Sequence, residues 1–153
     1  MAITKIAING FGRIGRSAFK IARERSDLEI VAINDLTDTK TLAYLLKHDS
    51  NYGEYGRQVD VTEDELIVDG KPVKVLAEKD PTNLPWGEMN IDVVIESTGL
   101  FTDKDGAGKH LTAGAKRVVI SGPTKSDGVD TIVLGTNDSK IKDATPIVSN
   151  ASC

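Results

Sequence analysis

The spacing of apolar and polar residues changes repeatedly along the chain between the patterns of strands and helices. Apolar, β-branched segments at Thr4–Asn9 and Leu28–Asn34 predict two buried strands. Between them, apolar residues recur every three or four positions over residues 13–25, which predicts a helix. A strand, a helix and a second strand within roughly 30 residues form a βαβ unit, and such units build parallel sheets.

The rest of the chain continues this alternation. Further helices are predicted over residues 39–47 and 104–113, and further strands over 91–96, 117–120, 131–134 and 146–149. Residues 59–76 follow the period of strands on either side of Asp69-Gly70, a hairpin turn signal. We therefore predict an α/β fold with a doubly wound, mostly parallel, Rossmann-like sheet. A small antiparallel excursion around residues 59–76 is expected between its two halves.

Glycines at positions 10, 12 and 15 follow the first predicted strand and open the first predicted helix. This is the G-x-G-x-x-G spacing of a dinucleotide-binding turn. Gly10 permits the tight turn, Gly12 lets the backbone approach a pyrophosphate, and Gly15 allows close contact between helix and strand. The helix N-terminus then offers free N–H groups and a partial positive charge to the phosphates.

Asp35 directly follows the second predicted strand, 20 residues after Gly15. A carboxylate at this place accepts hydrogen bonds from the ribose hydroxyls of a dinucleotide and disfavours a 2′-phosphate, so it predicts NAD rather than NADP. A cap of the turn after the strand is the alternative role. Other predicted strands also end in small or polar residues, at Ser97-Thr98-Gly99 and Ser121-Gly122. Ligands bind beyond the carboxyl ends of strands in such sheets.

Composition and charge narrow the function classes. The chain has 153 residues, about one domain, and a net charge of −4, which provides no basic face for nucleic acid or an anionic membrane. Its one cysteine, Cys153, cannot form an intramolecular disulfide, so we expect a reducing compartment. We find no secretory signal and no apolar stretch long enough to span a membrane. A cytoplasmic protein without a metal site is expected.

Several motifs together resemble one family, the phosphorylating glyceraldehyde-3-phosphate dehydrogenases. The resemblance covers the whole chain in the family's order and spacing. The motifs are Asn9-Gly10-Phe11-Gly12-Arg13-Ile14-Gly15-Arg16, Asn34-Asp35, Asp80-Pro81-Thr82-Asn83-Leu84-Pro85-Trp86, Glu96-Ser97-Thr98-Gly99-Leu100-Phe101-Thr102, Ala113-Gly114-Ala115-Lys116-Arg117-Val118 and Val148-Ser149-Asn150-Ala151-Ser152-Cys153.

The resemblance implies an NAD-dependent oxidation of glyceraldehyde 3-phosphate to 1,3-bisphosphoglycerate, with inorganic phosphate as second substrate. Cys153 aligns with the family nucleophile, which forms a thiohemiacetal and then a thioester. The implied cofactor-binding residues are Asn9, Gly10, Phe11, Gly12, Arg13 and Ile14 at the pyrophosphate, Asp35 at the ribose, Lys79 near the adenine, Ser97, Thr98, Gly99 and Phe101 beside the adenosine, and Ser121 near the nicotinamide ribose. Lys79 stands where the family usually has an arginine.

The resemblance also implies a homotetrameric enzyme with a longer chain. We expect residues 1–153 to be the NAD-binding domain, with the catalytic domain absent and the isolated chain inactive. The family's final helix packs on this domain, so we expect an exposed apolar groove and a tendency to associate. A stand-alone NAD-binding module and one half of an erythrose-4-phosphate dehydrogenase are the alternatives. His48 and His110 are expected at the surface without a catalytic role, and Trp86 as a core anchor.

Overall fold

The structure, a computed structural model, describes residues 2–152, so Cys153 lies outside the described residues. The helices are α1 (Arg13–Ala22), α2 (Thr39–Lys47) and α3 (Lys104–Thr112), with short 3-10 segments at Pro81–Asn83 and Asp138–Lys142. The strands are β1 (Thr4–Asn9), β2 (Leu28–Asn34), β3 (His48–Asp49), β4 (Gly53–Glu54), β5 (Val59–Val61), β6 (Glu65–Val68), β7 (Lys71–Leu76), β8 (Val93–Glu96), β9 (Arg117–Ile120), β10 (Asp130–Thr131) and β11 (Ile147–Ser149).

Within the described residues, nine strands form one sheet in the order β10-β11-β9-β8-β1-β2-β7-β6-β5. Every neighbouring pair from β10 to β7 is parallel, and β6 and β5 add antiparallel at one edge. The chain runs from β1 outward to β2 and β7, then returns to place β8 on the other side of β1. This reversal creates a crevice beyond the carboxyl ends of β1 and β8.

The sheet is packed on both faces because successive residues of its central strands point in opposite directions. On one face, Ile8 of β1 packs with Phe19 of α1 and Leu42 of α2. On the other, Ala7 packs in a cluster with Trp86, which is fully buried as expected for a core anchor. The two-sided core confirms the predicted doubly wound α/β class.

The structure confirms the antiparallel segment at residues 59–76 and corrects two other details of the predicted elements. Residues 59–76 form the antiparallel strands β5, β6 and β7 as predicted, and β7 also pairs in parallel with β2, so this segment extends one edge of the sheet. The strand predicted over 131–134 is present only as β10 at Asp130–Thr131, so its predicted extent was wrong. The Asn137 side chain accepts from Val133 N at 2.7 Å and donates to Thr131 O at 2.9 Å, which curls the chain into a turn. The small β3–β4 hairpin was not predicted.

Beside α1, side chains of β8 and β9 line an apolar groove of about 510 Å³ together with Ile6 and Ala18. The groove agrees with the expectation of an exposed apolar surface, and it extends toward residues 150–152. No helix of the described part of the chain is both long and apolar enough to cross a membrane.

Asp92 joins the amino ends of three neighbouring strands. Its carboxylate accepts from the Lys5 amide at the start of β1 at 2.8 Å and from Lys116 Nζ, just before β9, at 2.6 Å. The hydrogen bond from Lys116, followed by that from the Lys5 amide, lowers the pKa of Asp92 below its ordinary value of 3.8. The ends of the strands opposite the crevice are therefore held by an ionised carboxylate.

Asp92→Asn is expected to destabilise the protein at neutral pH by about 1 kcal/mol, a modest effect because solvent screens Lys116. A carboxyl group with a lowered folded-state pKa contributes stability above its unfolded pKa and loses it as the pH falls through the folded pKa. Urea unfolding should therefore show the difference at neutral pH and not well below pH 3.8. An equal difference at both pH values would contradict this role of the charge.

Candidate cofactor-binding site

The glycine turn lies at the crevice between the ends of β1 and β8. Gly10 has a φ of +91°, and its amide donates to Asn34 O at 2.8 Å. A Cβ atom on Gly10 would lie 2.7 Å from Thr98 N, and one on Gly15 would collide with Gly10 O. The turn therefore packs its backbone against the end of β8 and against α1 in a way that side chains would prevent.

The N-terminus of α1 is left open, unlike those of the other helices. Gly12 is its N-cap residue and makes no side-chain cap hydrogen bond. In contrast, Asp38 caps α2 through Thr41 N, and Asp103 caps α3 through Gly106 N. A Cβ on Gly12 would meet nothing within 4 Å. This open helix end suits the pyrophosphate of a dinucleotide, which would accept hydrogen bonds from its amides.

A cleft of about 520 Å³ lies beyond these strand ends. It brings together predicted residues from four segments that are far apart in the sequence: Asn9, Gly10, Gly12, Asp35, Lys79, Ser97, Thr98 and Phe101. Its lining also includes Asn34, Leu36, Glu78 and Leu100, which sequence analysis did not single out as site residues. Apolar rims and convergent polar groups are typical of a ligand cleft.

The carboxylate of Asp35, which lines the cleft, binds two backbone amides. Its Oδ2 accepts from the Phe11 amide at 2.7 Å, and its Oδ1 accepts from the Thr37 amide at 2.9 Å. The carboxylate thus caps the turn after β2, the alternative role considered from the sequence. Each carboxylate oxygen has a second lone pair, so the group can also accept from a hydroxyl in the cleft.

Asn34 holds the segment that carries Lys79 against the end of β2. Its Oδ1 accepts from Glu78 N at 2.8 Å, and its Nδ2 donates to Glu78 O at 2.9 Å. The same Nδ2 donates to Asn9 Oδ1 at 2.7 Å. One amide side chain therefore connects three walls of the cleft and places Lys79 at its edge.

Other predicted residues lie outside this cleft. Ile14 and Ser121 line the apolar groove, and so do residues 150–152, which precede Cys153 in the sequence. Arg13 lines a separate hollow with Arg16 and His48. Gly99 lies between cleft residues in the left-handed region, with a φ of +76°.

Phe11 requires a correction, because its side chain is fully buried and packs edge-to-face on Phe19 with ring centroids 5.5 Å apart. An apolar ring in this position is held by the core and does not face a ligand. Only the main chain of Phe11, through its amide bonded to Asp35, contributes to the site.

Beneath the cleft lies a buried network formed by Glu96, His110 and Trp86. His110 was expected at the surface, but it is 0% exposed on the core side of α3, so that expectation was wrong. Its Nε2 lies 2.8 Å from Glu96 Oε2, and Trp86 Nε1 donates to its Nδ1 at 3.0 Å. Hydrogen bonds to two buried partners explain how a polar ring occupies a core position.

The fold and the cleft together define a dinucleotide-binding domain of the doubly wound class. The chain matches the family model described as the NAD-binding domain of glyceraldehyde 3-phosphate dehydrogenase over residues 4–104. The chain belongs to this family. NAD is therefore its cofactor, and the open end of α1 with the uncrowded Gly12 fits that molecule.

Curated relatives carry the same family name. The chain is 52% identical over 153 residues to glyceraldehyde-3-phosphate dehydrogenase of Thermotoga maritima, covering 99% of this chain and 46% of that protein. It is 56% identical over 154 residues to that of Borreliella burgdorferi, covering 97% and 45%. It is 54% identical over 149 residues to glyceraldehyde-3-phosphate dehydrogenase A of Escherichia coli, covering 97% and 44%. The chain spans less than half the length of these relatives.

Proposed function

We propose that the protein oxidises glyceraldehyde 3-phosphate with NAD and inorganic phosphate to 1,3-bisphosphoglycerate. The observation that carries the proposal is the place of the glycine turn, which has the polar cleft on one side and the groove with Ile14, Ser121 and residues 150–152 on the other. A dinucleotide laid across the open end of α1 would reach from Asp35 to the segment preceding Cys153. Bound NAD supplies the hydride acceptor.

The cofactor roles follow from this placement. Asp35 would accept from the adenosine ribose, and Lys79 would lie near the adenine, with Ser97, Thr98, Gly99 and Phe101 beside the adenosine. Gly10, Gly12 and the amides that open α1 would hold the pyrophosphate, flanked by Asn9 and Arg13. Ile14 and Ser121 would face the nicotinamide end.

The chemical step is assigned to Cys153 by its place in the family motif. Its thiolate attacks the aldehyde carbon and forms a thiohemiacetal. The adduct then loses a hydride, for which bound NAD would be the acceptor, and its hydroxyl proton. The resulting thioester retains the energy of the oxidation. Phosphate then attacks the thioester carbon, forms the acyl phosphate and releases the thiolate.

We further propose that residues 1–153 are the NAD-binding domain of a longer chain that supplies the substrate-binding groups. The relatives are roughly double the length of the segment that this chain matches. We also propose a homotetramer that acts in glycolysis in the cytoplasm, as the family resemblance implies.

The test is aldehyde oxidation by the full-length protein that carries this chain. NADH absorbance should rise with glyceraldehyde 3-phosphate as substrate, and sustained turnover should require inorganic phosphate. Faster oxidation of erythrose 4-phosphate would identify the related dehydrogenase instead. If the protein binds NAD but oxidises neither aldehyde, the proposed reaction is refuted and the protein is an NAD-binding module without catalysis.

Asp35→Asn is expected to weaken NAD binding by about tenfold and to narrow the preference for NAD over NADP. The amide loses the charge that strengthens hydrogen bonds from the ribose and that repels a 2′-phosphate. Isothermal titration of both cofactors measures the two constants. Asp60→Asn, at an exposed acidic residue outside the cleft, is the matched control and should change neither. If the ratio of the NADP and NAD dissociation constants is unchanged in the Asp35 variant, the assignment of Asp35 to the adenosine ribose is contradicted.

A further inference from the structure

The network below the cleft assigns a defined protonation state to His110. The indole N–H of Trp86 can only donate, so Nδ1 of His110 accepts at 3.0 Å and carries no proton. The ring proton is then on Nε2, which donates to Glu96 Oε2 at 2.8 Å. Asn9 Nδ2 lies 3.4 Å from the same Nε2, but with both atoms protonated this contact is not a hydrogen bond. The imidazole is neutral and oriented.

Glu96 transmits this orientation to the cleft. Its Oε2 also accepts from Asn9 Nδ2 at 2.6 Å, while its Oε1 accepts from Thr98 N at 2.9 Å and from Thr98 Oγ1 at 2.6 Å. Asn9 and Thr98 both line the cleft, whereas His110 and Trp86 do not. The Glu96 carboxylate therefore connects the cleft residues Asn9 and Thr98 to His110 in the core.

If Glu96 and His110 only filled space in the core, they would not need to be a carboxylate and an imidazole. The side chains of Glu96 and His110 are both 0% exposed. Removing a carboxylate from water is costly, and apolar side chains of similar volume fill a core at lower cost in free energy. The carboxylate instead takes four donors, two of which come from one cleft residue, Thr98. The arrangement fixes positions in addition to filling space.

We propose that His110 is a positioning residue of the cofactor cleft. Its Nε2–H holds Glu96, and Glu96 holds Asn9 beside the pyrophosphate of NAD and Thr98 beside its adenosine. Trp86 keeps the ring in the required tautomer. The inference rests on the proposed placement of the pyrophosphate and the adenosine in this cleft.

The test compares two substitutions by titration with NAD and with ADP-ribose, which lacks the nicotinamide. His110→Leu removes both hydrogen bonds and is expected to raise both dissociation constants by about tenfold, as for loss of a hydrogen bond to a charged group. His110→Gln retains an amide oxygen toward Trp86 and an NH₂ toward Glu96, so it should restore both constants to within about threefold of the parent. Urea unfolding separates any loss of stability from the affinity of the folded protein.

His48→Leu, at the other histidine of the chain, which is exposed, is the matched control. It should leave the dissociation constants for NAD and ADP-ribose unchanged. A folded His110→Leu variant with the parent's constants would overturn the proposal. So would a glutamine variant as weak as the leucine variant. A parent protein that binds neither NAD nor ADP-ribose would instead contradict the proposed use of the cleft, and the inference with it.

Nuclear magnetic resonance of the unsubstituted protein provides a second measurement that does not depend on a variant folding. The ¹⁵N resonances of His110 should show a protonated Nε2 and an unprotonated Nδ1. The indole N–H resonance of Trp86, the chain's only tryptophan, should shift when ADP-ribose binds. Resonances of Trp86 and His110 that do not move at saturating ADP-ribose would overturn the proposal.

Discussion

Gly12→Ala is expected to reduce the affinity for NAD by about tenfold or more while the fold remains intact, whereas Gly10→Ala is expected to cost about 3 kcal/mol of stability. At Gly12 the φ of −73° is open to alanine, and the new Cβ would meet nothing within 4 Å. That space is where the proposed pyrophosphate lies. At Gly10 the φ is +91°, and the Cβ would lie 2.7 Å from a backbone nitrogen that cannot move away freely.

Urea unfolding and isothermal titration with NAD measure the two effects separately. The loss of stability in Gly12→Ala should stay below about 1 kcal/mol, because alanine is only a moderately poorer N-cap residue than glycine. Gly56→Ala is the control for both, since Gly56 is exposed, its Cβ would also meet nothing within 4 Å, and it lies outside the cleft. Unchanged NAD affinity in Gly12→Ala would exclude the open end of α1 as the phosphate site.

Glu96→Gln is expected to destabilise the protein by about 3 kcal/mol, although the two side chains have nearly the same shape. Every group that points at the carboxylate is a donor: Thr98 N, Thr98 Oγ1, Asn9 Nδ2 and His110 Nε2. An amide replaces one acceptor oxygen with an NH₂ group. Either orientation then places an NH₂ group against at least one N–H that can only donate, at a position where the side chain is buried.

Urea unfolding checks this value, with Glu88→Gln at an exposed position as the matched control. The control should change the free energy of unfolding by less than about 0.5 kcal/mol, as is usual for surface substitutions. A Glu96→Gln variant as stable as the control would mean that the carboxylate is not required as an acceptor for all four donors.

The central strands were predictable because they are buried on both faces and therefore consist of apolar, β-branched residues. The bounds of β1, β2 and β9 agree with the predicted ranges for this reason. The glycine turn was also predictable, since Gly10 and Gly15 stand where a Cβ would collide with backbone. Local sequence patterns were sufficient to predict those elements whose structure is determined by residues close together in the sequence.

Contacts between distant segments could not be predicted in the same way. The link from Asn34 to Glu78 spans 44 residues and depends on β7 pairing with β2, which the hairpin signal at Asp69-Gly70 does not reveal. His110 was expected at the surface because a histidine on a predicted helix is more often exposed than buried. Its spacing from Ala107 placed it on the buried face of α3, but its partner Glu96 is on a different element.

The short edge strands of the sheet have a consequence for how copies of the protein meet. One edge is the two-residue β10 and the other is the three-residue β5. Such edges present few unpaired N–H and C=O groups, so they are poor templates for the addition of a strand from another molecule. Self-association of this chain should therefore leave its β-sheet content unchanged, and it should not seed cross-β fibres from the sheet edges.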